Sequence, residues 1–223
     1  MADFRRTRLK ILLIVLVISL VAGVYLAHVY HKFLTEELIS DDQIAYQPEE
    51  SLSIIRENEA EGETRLLSDN FPSHPRLSPD RTRLAYIAPH QWEEIGSLYI
   101  YDYPSDEVIT LLEGKDFGSQ HTPKNVWWLD DEYLLVLEGF AYGTVTVGGE
   151  LQVVQASSGE MAQLVGFPEE DRKEIMDLEC LDDEEIYLLK IAHFDEQFME
   201  YEVIQAEMEK GYVYSVIANE FGD

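Results

Sequence analysis

An internal repeat of about fifty residues constrains the fold of this chain more than any other feature of its sequence. Three units share one order of segments: a short apolar run, an acidic turn, a strong apolar run, a variable loop, and two further runs joined by a polar turn. Asp80, Asp131 and Asp183 occupy the same place in the three acidic turns, spaced 51 and 52 residues apart. Aspartate suits such turns because its carboxylate accepts hydrogen bonds from nearby backbone N–H groups.

The run after each acidic turn predicts β-sheets that are covered on both faces. In the first unit, Leu84 and Tyr86 point to one side of a strand, whereas Ala85 and Ile87 point to the other. In the second unit, every residue from 133 to 137 is apolar or aromatic. Strands that are apolar on both faces lie between two other layers, and stacked four-stranded meanders are the blades of a β-propeller.

The predicted fold class is therefore all-β: an incomplete or small β-propeller-like stack of four-stranded meanders. We expect the last strand of the third unit at residues 211–217, and residues 51–68 match only the last two strands of a unit. The count is thus about 3.5 blades, while closed propellers usually have four or more. A small propeller with an incomplete blade, an open arc and a ring shared by two chains remain open, and a β-sandwich or barrel is the alternative.

Two stretches resemble known families. "LSPDRTRLAYI" (77–87), followed by "LYIYD" (98–102), resembles the S-P-D-G-x-x-[IL]-A-[FY] blade motif of TolB-type propellers, with Arg81 in place of the usual glycine. "TPKNVWWLDDEYLLVLEGFAYGTVTVGGELQVV" (122–154) resembles a signature of an uncharacterised, membrane-anchored domain-of-unknown-function family of Gram-positive bacteria. The second resemblance implies an envelope setting and no activity.

The start of the chain predicts a membrane anchor. Residues 11–30 contain no Asp, Glu, Lys or Arg, and a helix of that length spans the roughly 30 Å core of a bilayer. Basic residues precede this run and acidic sequence follows it, so the positive-inside rule places the N-terminus in the cytoplasm. We predict a cytoplasmic tail (1–10), a transmembrane helix (11–30), an acidic juxtamembrane linker (31–50) and an extracytoplasmic β-repeat domain (51–223). A signal peptide cleaved near residues 21–23 is the alternative.

The charge of the chain limits its partners. It has 16 Lys and Arg against 44 Asp and Glu, a formal net charge of −28. Because nucleic-acid binding demands a basic face, we predict no nucleic-acid partner. The acidic surface suits solubility outside the cell, or alternatively cations or basic proteins.

If the units are blades, their longer loops emerge on one face and form a candidate binding surface. Loops at one end of a rigid β-scaffold commonly carry recognition. The loops concerned are residues 90–96, 113–125, 140–149, 167–174 and 194–198. The candidate ligand- or partner-binding residues on them are Trp92, Glu93, Glu94, Phe117, His121, Lys124, Phe140, Tyr142 and Thr144.

The loop at residues 140–149 lies in a stretch with four glycines, Gly139, Gly143, Gly148 and Gly149. Glycine permits tight turns and close approach of two backbones, so we expect a flap or short hairpin with Gly148 and Gly149 as its return. Recognition of a ligand is one role for this loop. Plugging of the central channel of the propeller is the other.

The sequence carries no recognised catalytic motif: it has no G-x-S-x-G, H-E-x-x-H, P-loop or G-x-G-x-x-G pattern. We therefore predict no catalytic residue, no metal ligand and no cofactor, and we expect Cys180 on the inward face of a strand as a small core residue. The favoured function is a binding domain for an unknown protein or envelope ligand. The alternatives are an extracytoplasmic hydrolase with an unrecognised carboxylate site and an accessory regulator of a membrane complex.

Overall fold

The computed structural model describes residues 44–47, 53–58, 63–142, 147–181 and 185–222, which all lie in the compact unit Ile39–Asp223. The predicted cytoplasmic tail and transmembrane helix fall outside these residues. Within the described ranges, no helix is long and apolar enough to cross a membrane.

The described residues form four antiparallel sheets, each a meander of consecutive strands. Sheet I contains β1 (Ile44–Gln47), β2 (Ser53–Asn58) and β3 (Glu63–Ser68), and sheet II contains β4 (Arg76–Leu77), β5 (Arg83–Ala88), β6 (Ser97–Asp102) and β7 (Glu107–Leu112). Sheet III contains β8 (His121–Trp128), β9 (Tyr133–Phe140), β10 (Glu150–Gln155) and β11 (Met161–Val165). Sheet IV contains β12 (Lys173–Leu181), β13 (Ile186–Phe194) and β14 (Tyr201–Glu209), and helix α1 (Lys210–Glu220) follows it directly.

The sheets pack in chain order, as the apolar pattern predicts. In β9, Leu134 and Val136 are buried in a cluster shared with sheet II, whereas Leu135 and Leu137 are buried in a cluster shared with sheet IV. A third cluster joins sheet I to sheet II. Burial of each such side chain contributes about 1.5–3 kcal/mol, so the three seams hold the stack together. The predicted incomplete β-propeller-like stack of four-stranded meanders is confirmed.

The acidic turns join the first and second strands of sheets II and III. Asp80 Oδ1 accepts hydrogen bonds from Ser78 Oγ (2.6 Å) and from the backbone N–H of Thr82 (3.0 Å). Burial works against ionisation, but these bonds hold the pKa of the Asp80 carboxyl below its usual value. The backbone N–H of Asp80 donates to Asp131 Oδ1 at 2.8 Å, so the turn of one sheet is fastened to the turn of the next. Asp183 lies outside the described residues.

Three details differ from the sequence predictions. Strand β1 lies at Ile44–Gln47, within the stretch expected to be a linker. The third unit ends in helix α1 instead of a strand, because Val213 and Ile217, four residues apart, fall on one helical face and are buried in the seam between sheets III and IV. Cys180 is exposed.

The prediction of Cys180 as a core residue was wrong because the core ends before this position of β12. The register shift between Ile175 and Asp177 precedes Leu178, and Cys180 follows Leu178 on the same face of the strand, but the buried residues of the strand are Ile175 and Leu178. Beyond Leu178 the strand leaves the core, and Glu179 and Cys180 are both exposed.

Candidate functional site

Loops of sheets II and III form a first cleft of about 270 Å³. The loop after β5 carries Trp92, which is 65% exposed, and Phe140 at the end of β9 forms part of the opposite wall. Two hydrogen bonds fix the loop against β8: His90 Nε2 lies 3.0 Å from the carbonyl oxygen of Lys124, and the backbone N–H of Gly96 donates to Thr122 Oγ1 at 3.0 Å. The lining residues are Pro89, His90, Gln91, Trp92, Glu93, Glu94, Thr122, Pro123, Lys124, Phe140 and Ala141.

Phe140 also borders a second cleft of about 620 Å³, between sheets III and IV. Four phenylalanines, basic residues and several carboxylates line this cleft. They include His121, Glu138, Phe140, Phe167, Glu169, Arg172, Lys173, Glu174, Phe194 and Phe198. The two clefts therefore share one aromatic wall, and loops from sheets II, III and IV contribute to them.

A histidine and a carboxylate lie at the floor of the second cleft. His121 Nδ1 is 2.9 Å from Glu138 Oε1, and Glu138 is 9% exposed. Within the described ranges it is the one buried carboxylate, and burial of such a group requires a hydrogen-bonding partner. The His121 ring meets the Phe140 ring edge-on at 6.4 Å, and Phe140 meets Tyr142 at 5.9 Å. The pair thus positions the aromatic side chains between the clefts.

Lys124 is the cation of the first cleft. Burial lowers the pKa of its ammonium group, and the nearby Glu174 carboxylate opposes that shift. Its aliphatic chain passes Gly139, because a Cβ at Gly139 would lie 2.8 Å from Lys124 Cε. Lys124 is therefore held in place along the cleft, with its charge partly desolvated.

The glycines of the loop at residues 140–149 serve close backbone approach, as predicted. A Cβ at Gly148 would lie 2.0 Å from the carbonyl oxygen of Ile175, and one at Gly149 would lie 1.8 Å from that of Glu138. Gly149 and Ile175 exchange two backbone hydrogen bonds of 2.9 Å. Glu174 Oε2 accepts from the backbone N–H groups of Val147 (3.0 Å) and Gly148 (2.9 Å). The return of the loop is thus fastened to β12 of sheet IV.

The structure brings most of the predicted residues together. Trp92, Glu93, Glu94, Lys124 and Phe140 line the first cleft, His121 lines the second, and Tyr142 contacts Phe140. Thr144 lies outside the described residues. The prediction of Phe117 as a binding residue was wrong: it is 2% exposed and belongs to the core between sheets II and III.

Sequence reasoning missed several residues of the second cleft. Phe167 and Arg172 lie on loops assigned to the correct face, and their residue types were signal enough to include them. Glu138 was not recognisable, because its contact with His121 depends on the register of β8 against β9.

The fold and the loop clefts define a small β-propeller-like domain with a cleft-bearing loop face. Residues 90–207, more than half of the chain, match the family described as Domain of unknown function (DUF4652), and the chain belongs to this family. A comparison with curated proteins found no significant match.

A solved structure shares this fold. A candidate conserved lipoprotein from Clostridium novyi NT is similar with a TM-score of 0.55 and 20% identity, over 62% of this chain and 86% of that one. The β-propeller domain of the Trilobed protease from Pyrococcus furiosus (TM-score 0.43, 17% identity, 70% of this chain) and TolB from Acinetobacter baumannii (0.39, 13%, 82%) are also similar. This chain spans 45% and 46% of the length of those two.

Proposed function

We propose that this protein is a single-pass, membrane-anchored domain outside the cytoplasm that binds a protein or envelope ligand through its loop face. The uncharged run at residues 11–30 and the basic residues before it support the anchor and its orientation. The similar fold of a candidate lipoprotein supports the setting, because lipoproteins are held at a membrane surface.

One observation carries the binding role: an exposed tryptophan and an exposed phenylalanine lie on one cleft, supported by loops of different sheets. Trp92 and Phe140 both line the first cleft and are among the exposed large hydrophobic residues. Burial of exposed aromatic side chains is a main source of binding energy at recognition surfaces. The loop at residues 90–96 is fixed by the bond from the Gly96 N–H to Thr122 Oγ1, and the loop at residues 140–149 by the backbone bonds between Gly149 and Ile175. Little conformational entropy is therefore lost when a ligand is bound.

The size and charge of the clefts restrict the ligand. Volumes of about 270 and 620 Å³ accommodate side chains of a peptide or one or two sugar units; the first is near the lower limit of ligand sites and the second is within their usual range. Glu93 and Glu94 stand beside Trp92, and a carboxylate pair next to an indole favours a ligand with a cationic group.

The test places a photoreactive benzoylphenylalanine at Trp92 of the full-length chain in native membranes, with the same residue at Leu66 as a matched control. Leu66 is 52% exposed and lies on sheet I, which lines neither cleft. We expect a specific adduct from position 92, whose mass identifies it as protein, peptide or glycan, and none from position 66.

A second substitution tests whether the adduct at position 92 comes from a ligand bound in the first cleft. Phe140→Ala removes the shared aromatic wall and is expected to weaken capture by about 10- to 30-fold, as for a central aromatic contact. The proposal fails if positions 92 and 66 give the same adducts, or if Phe140→Ala leaves the yield at position 92 unchanged.

A further inference from the structure

In the part of the chain that the structure describes, the outer edge of β14 is open. Sheet IV has three strands in the order β12-β13-β14, whereas sheets II and III have four. Helix α1 begins directly after β14 and packs into the seam between sheets III and IV. Among the described residues no strand pairs with the outer edge of β14, and such an edge presents unpaired N–H and C=O groups to another strand.

β14 also lacks the features that blunt the other outer strands. The outer strands of sheets I, II and III, which are β3, β7 and β11, have six, six and five residues. The pairing of each with its neighbouring strand contains a register shift. β14 has nine residues in unbroken register with β13, and it contains no lysine and no proline. Bulges, short length, proline and charged side chains, lysine above all, are the usual means of preventing edge-to-edge pairing, and of these β14 has only its three glutamates. Val203, on this strand, is 54% exposed.

An apolar groove of about 510 Å³ runs beside the inward face of β14. Its walls come from β11 and the chain that follows it, from β12, β13 and β14, and from the first turn of α1. The apolar lining residues include Val165, Phe167, Ile204, Ala206, Met208 and Tyr212. An added strand would occupy the place of the missing fourth strand, and alternate side chains of that strand would lie over this groove.

The sequence of β14, Tyr-Glu-Val-Ile-Gln-Ala-Glu-Met-Glu, complements itself. An antiparallel pair of two such strands centred on Gln205 places Tyr201 opposite Glu209, Glu202 opposite Met208, Val203 opposite Glu207 and Ile204 opposite Ala206. Every glutamate then faces an apolar residue. Like charges directly opposite each other, which destabilise a sheet, do not occur within β14.

We propose that β14 pairs antiparallel with β14 of a second copy of this chain, about a two-fold axis at Gln205. The interface is isologous, so both copies use the same strand. It joins the two copies of sheet IV into one six-stranded sheet and leaves the loop clefts to ligands. Because each copy carries a formal charge of −28, salt strengthens the dimer by screening the repulsion between copies.

The first test is disulfide cross-linking of full-length chains in native membranes. In a Cys180→Ser background, Gln205→Cys places two thiols directly opposite across the axis, within the Cα separation of a disulfide. Ile109→Cys on β7, another outer strand with an exposed side chain, is the matched control. We expect dimers with cysteine at 205 and none at 109. Chains with Val203→Cys mixed with chains with Glu207→Cys form heterodimers.

The second test exchanges charges at exposed positions of the proposed pairs. Val203→Glu sets two pairs of glutamates opposite each other and is expected to raise the dimer Kd by about 2- to 30-fold. Val203→Glu with Glu207→Lys converts both pairs to opposite charges and restores association. Both are measured by sedimentation of the full chain in detergent micelles.

The proposal is overturned if the wild-type chain sediments as a monomer at high salt, if position 205 cross-links to a different protein, or if the double variant associates no better than Val203→Glu. Failure of the Trp92 cross-linking would not affect it, because β14 contributes nothing to the first cleft.

Discussion

Replacement of Gly149 by alanine tests whether close backbone contact builds the loop face. A Cβ at this position would lie 1.8 Å from the carbonyl oxygen of Glu138 and 2.7 Å from Cα of Gly139. The backbone must therefore move by more than an ångström. That movement separates β10 from β9 at its first residue pair and pulls residue 149 away from Ile175.

The magnitude follows from what the movement breaks. Gly149 and Ile175 exchange two hydrogen bonds of 2.9 Å, each worth about 0.5–1.5 kcal/mol. Overpacking of a buried site costs a further 1–3 kcal/mol, roughly. We expect the free energy of unfolding to fall by about 2–6 kcal/mol, which is a decrease in Tm of about 4–24 °C for a domain of this size.

The assay is thermal unfolding of the full-length chain in detergent, followed by near-ultraviolet circular dichroism. Gly211→Ala is the matched control, since a Cβ there meets nothing within 4 Å and alanine favours the helix by about 0.5–1 kcal/mol. A Tm for Gly149→Ala that equals the wild-type or Gly211→Ala value would refute the close-contact explanation of this glycine.

Three further predictions concern the seams between sheets. Asp131→Ala removes the acceptor of the Asp80 N–H and should cost about 1.5–3 kcal/mol in urea unfolding, with Asp131→Asn nearer to wild type; equal losses would argue against the turn-to-turn bond. Burial opposes ionisation of Asp106, but the Tyr101 hydroxyl and the guanidinium groups of Arg65 and Arg56 lower the pKa of its carboxyl. As pH falls, the Asp106 carboxyl is therefore protonated in the unfolded state before it is protonated in the folded state. The stabilisation from ionised Asp106 is complete above about pH 4, the pKa in the unfolded state, and is lost as pH falls through the lower pKa of the folded state. Because the Asp106 side chain is 49% exposed, the loss is under about 1 kcal/mol. Asp106→Asn should therefore make the free energy of unfolding less dependent on pH in the acid range. Leu135→Ala empties a fully buried site and should cost about 2–5 kcal/mol, and a loss below about 1 kcal/mol would contradict the double-sided packing of sheet III.

The sequence predicted the fold best where a pattern of residues is compatible with only one structural environment. Runs such as residues 133–137 are apolar on both faces, so a position between two sheets follows from alternation alone. Helix α1 was not predictable in this way, because Tyr212, Val213 and Tyr214 favour strands. Their burial as a helix depends on a seam between sheets III and IV that forms only in the folded chain.

On the loop face, too, some residues could be placed from the sequence and others could not. Trp92 and Phe140 could be placed from the lengths of their loops and the order of the strands. Phe117 could not, because the turn Gly114–Phe117, closed by reciprocal bonds between Glu113 and Asp116, directs its ring into the core. His121 and Glu138 are 17 residues apart in sequence, and only the register of β8 against β9 brings the two side chains together.

Sheet IV contributes both to the proposed binding surface and to the proposed dimer. In the part of the chain that the structure describes, its packing partners are sheet III and helix α1, whereas sheets II and III are covered on both faces. The wall of the second cleft depends on this less supported sheet, because Glu174 and Ile175 of β12 hold the return of the loop. Pairing of β14 with a second copy would extend sheet IV and restrict its local opening, the kind of motion that proceeds from elements with few packed neighbours. Dimerisation should therefore increase hydrogen-exchange protection at Gly149 and Ile175 as well as along β14, and protection confined to β14 would show that the edge and the loop face act independently.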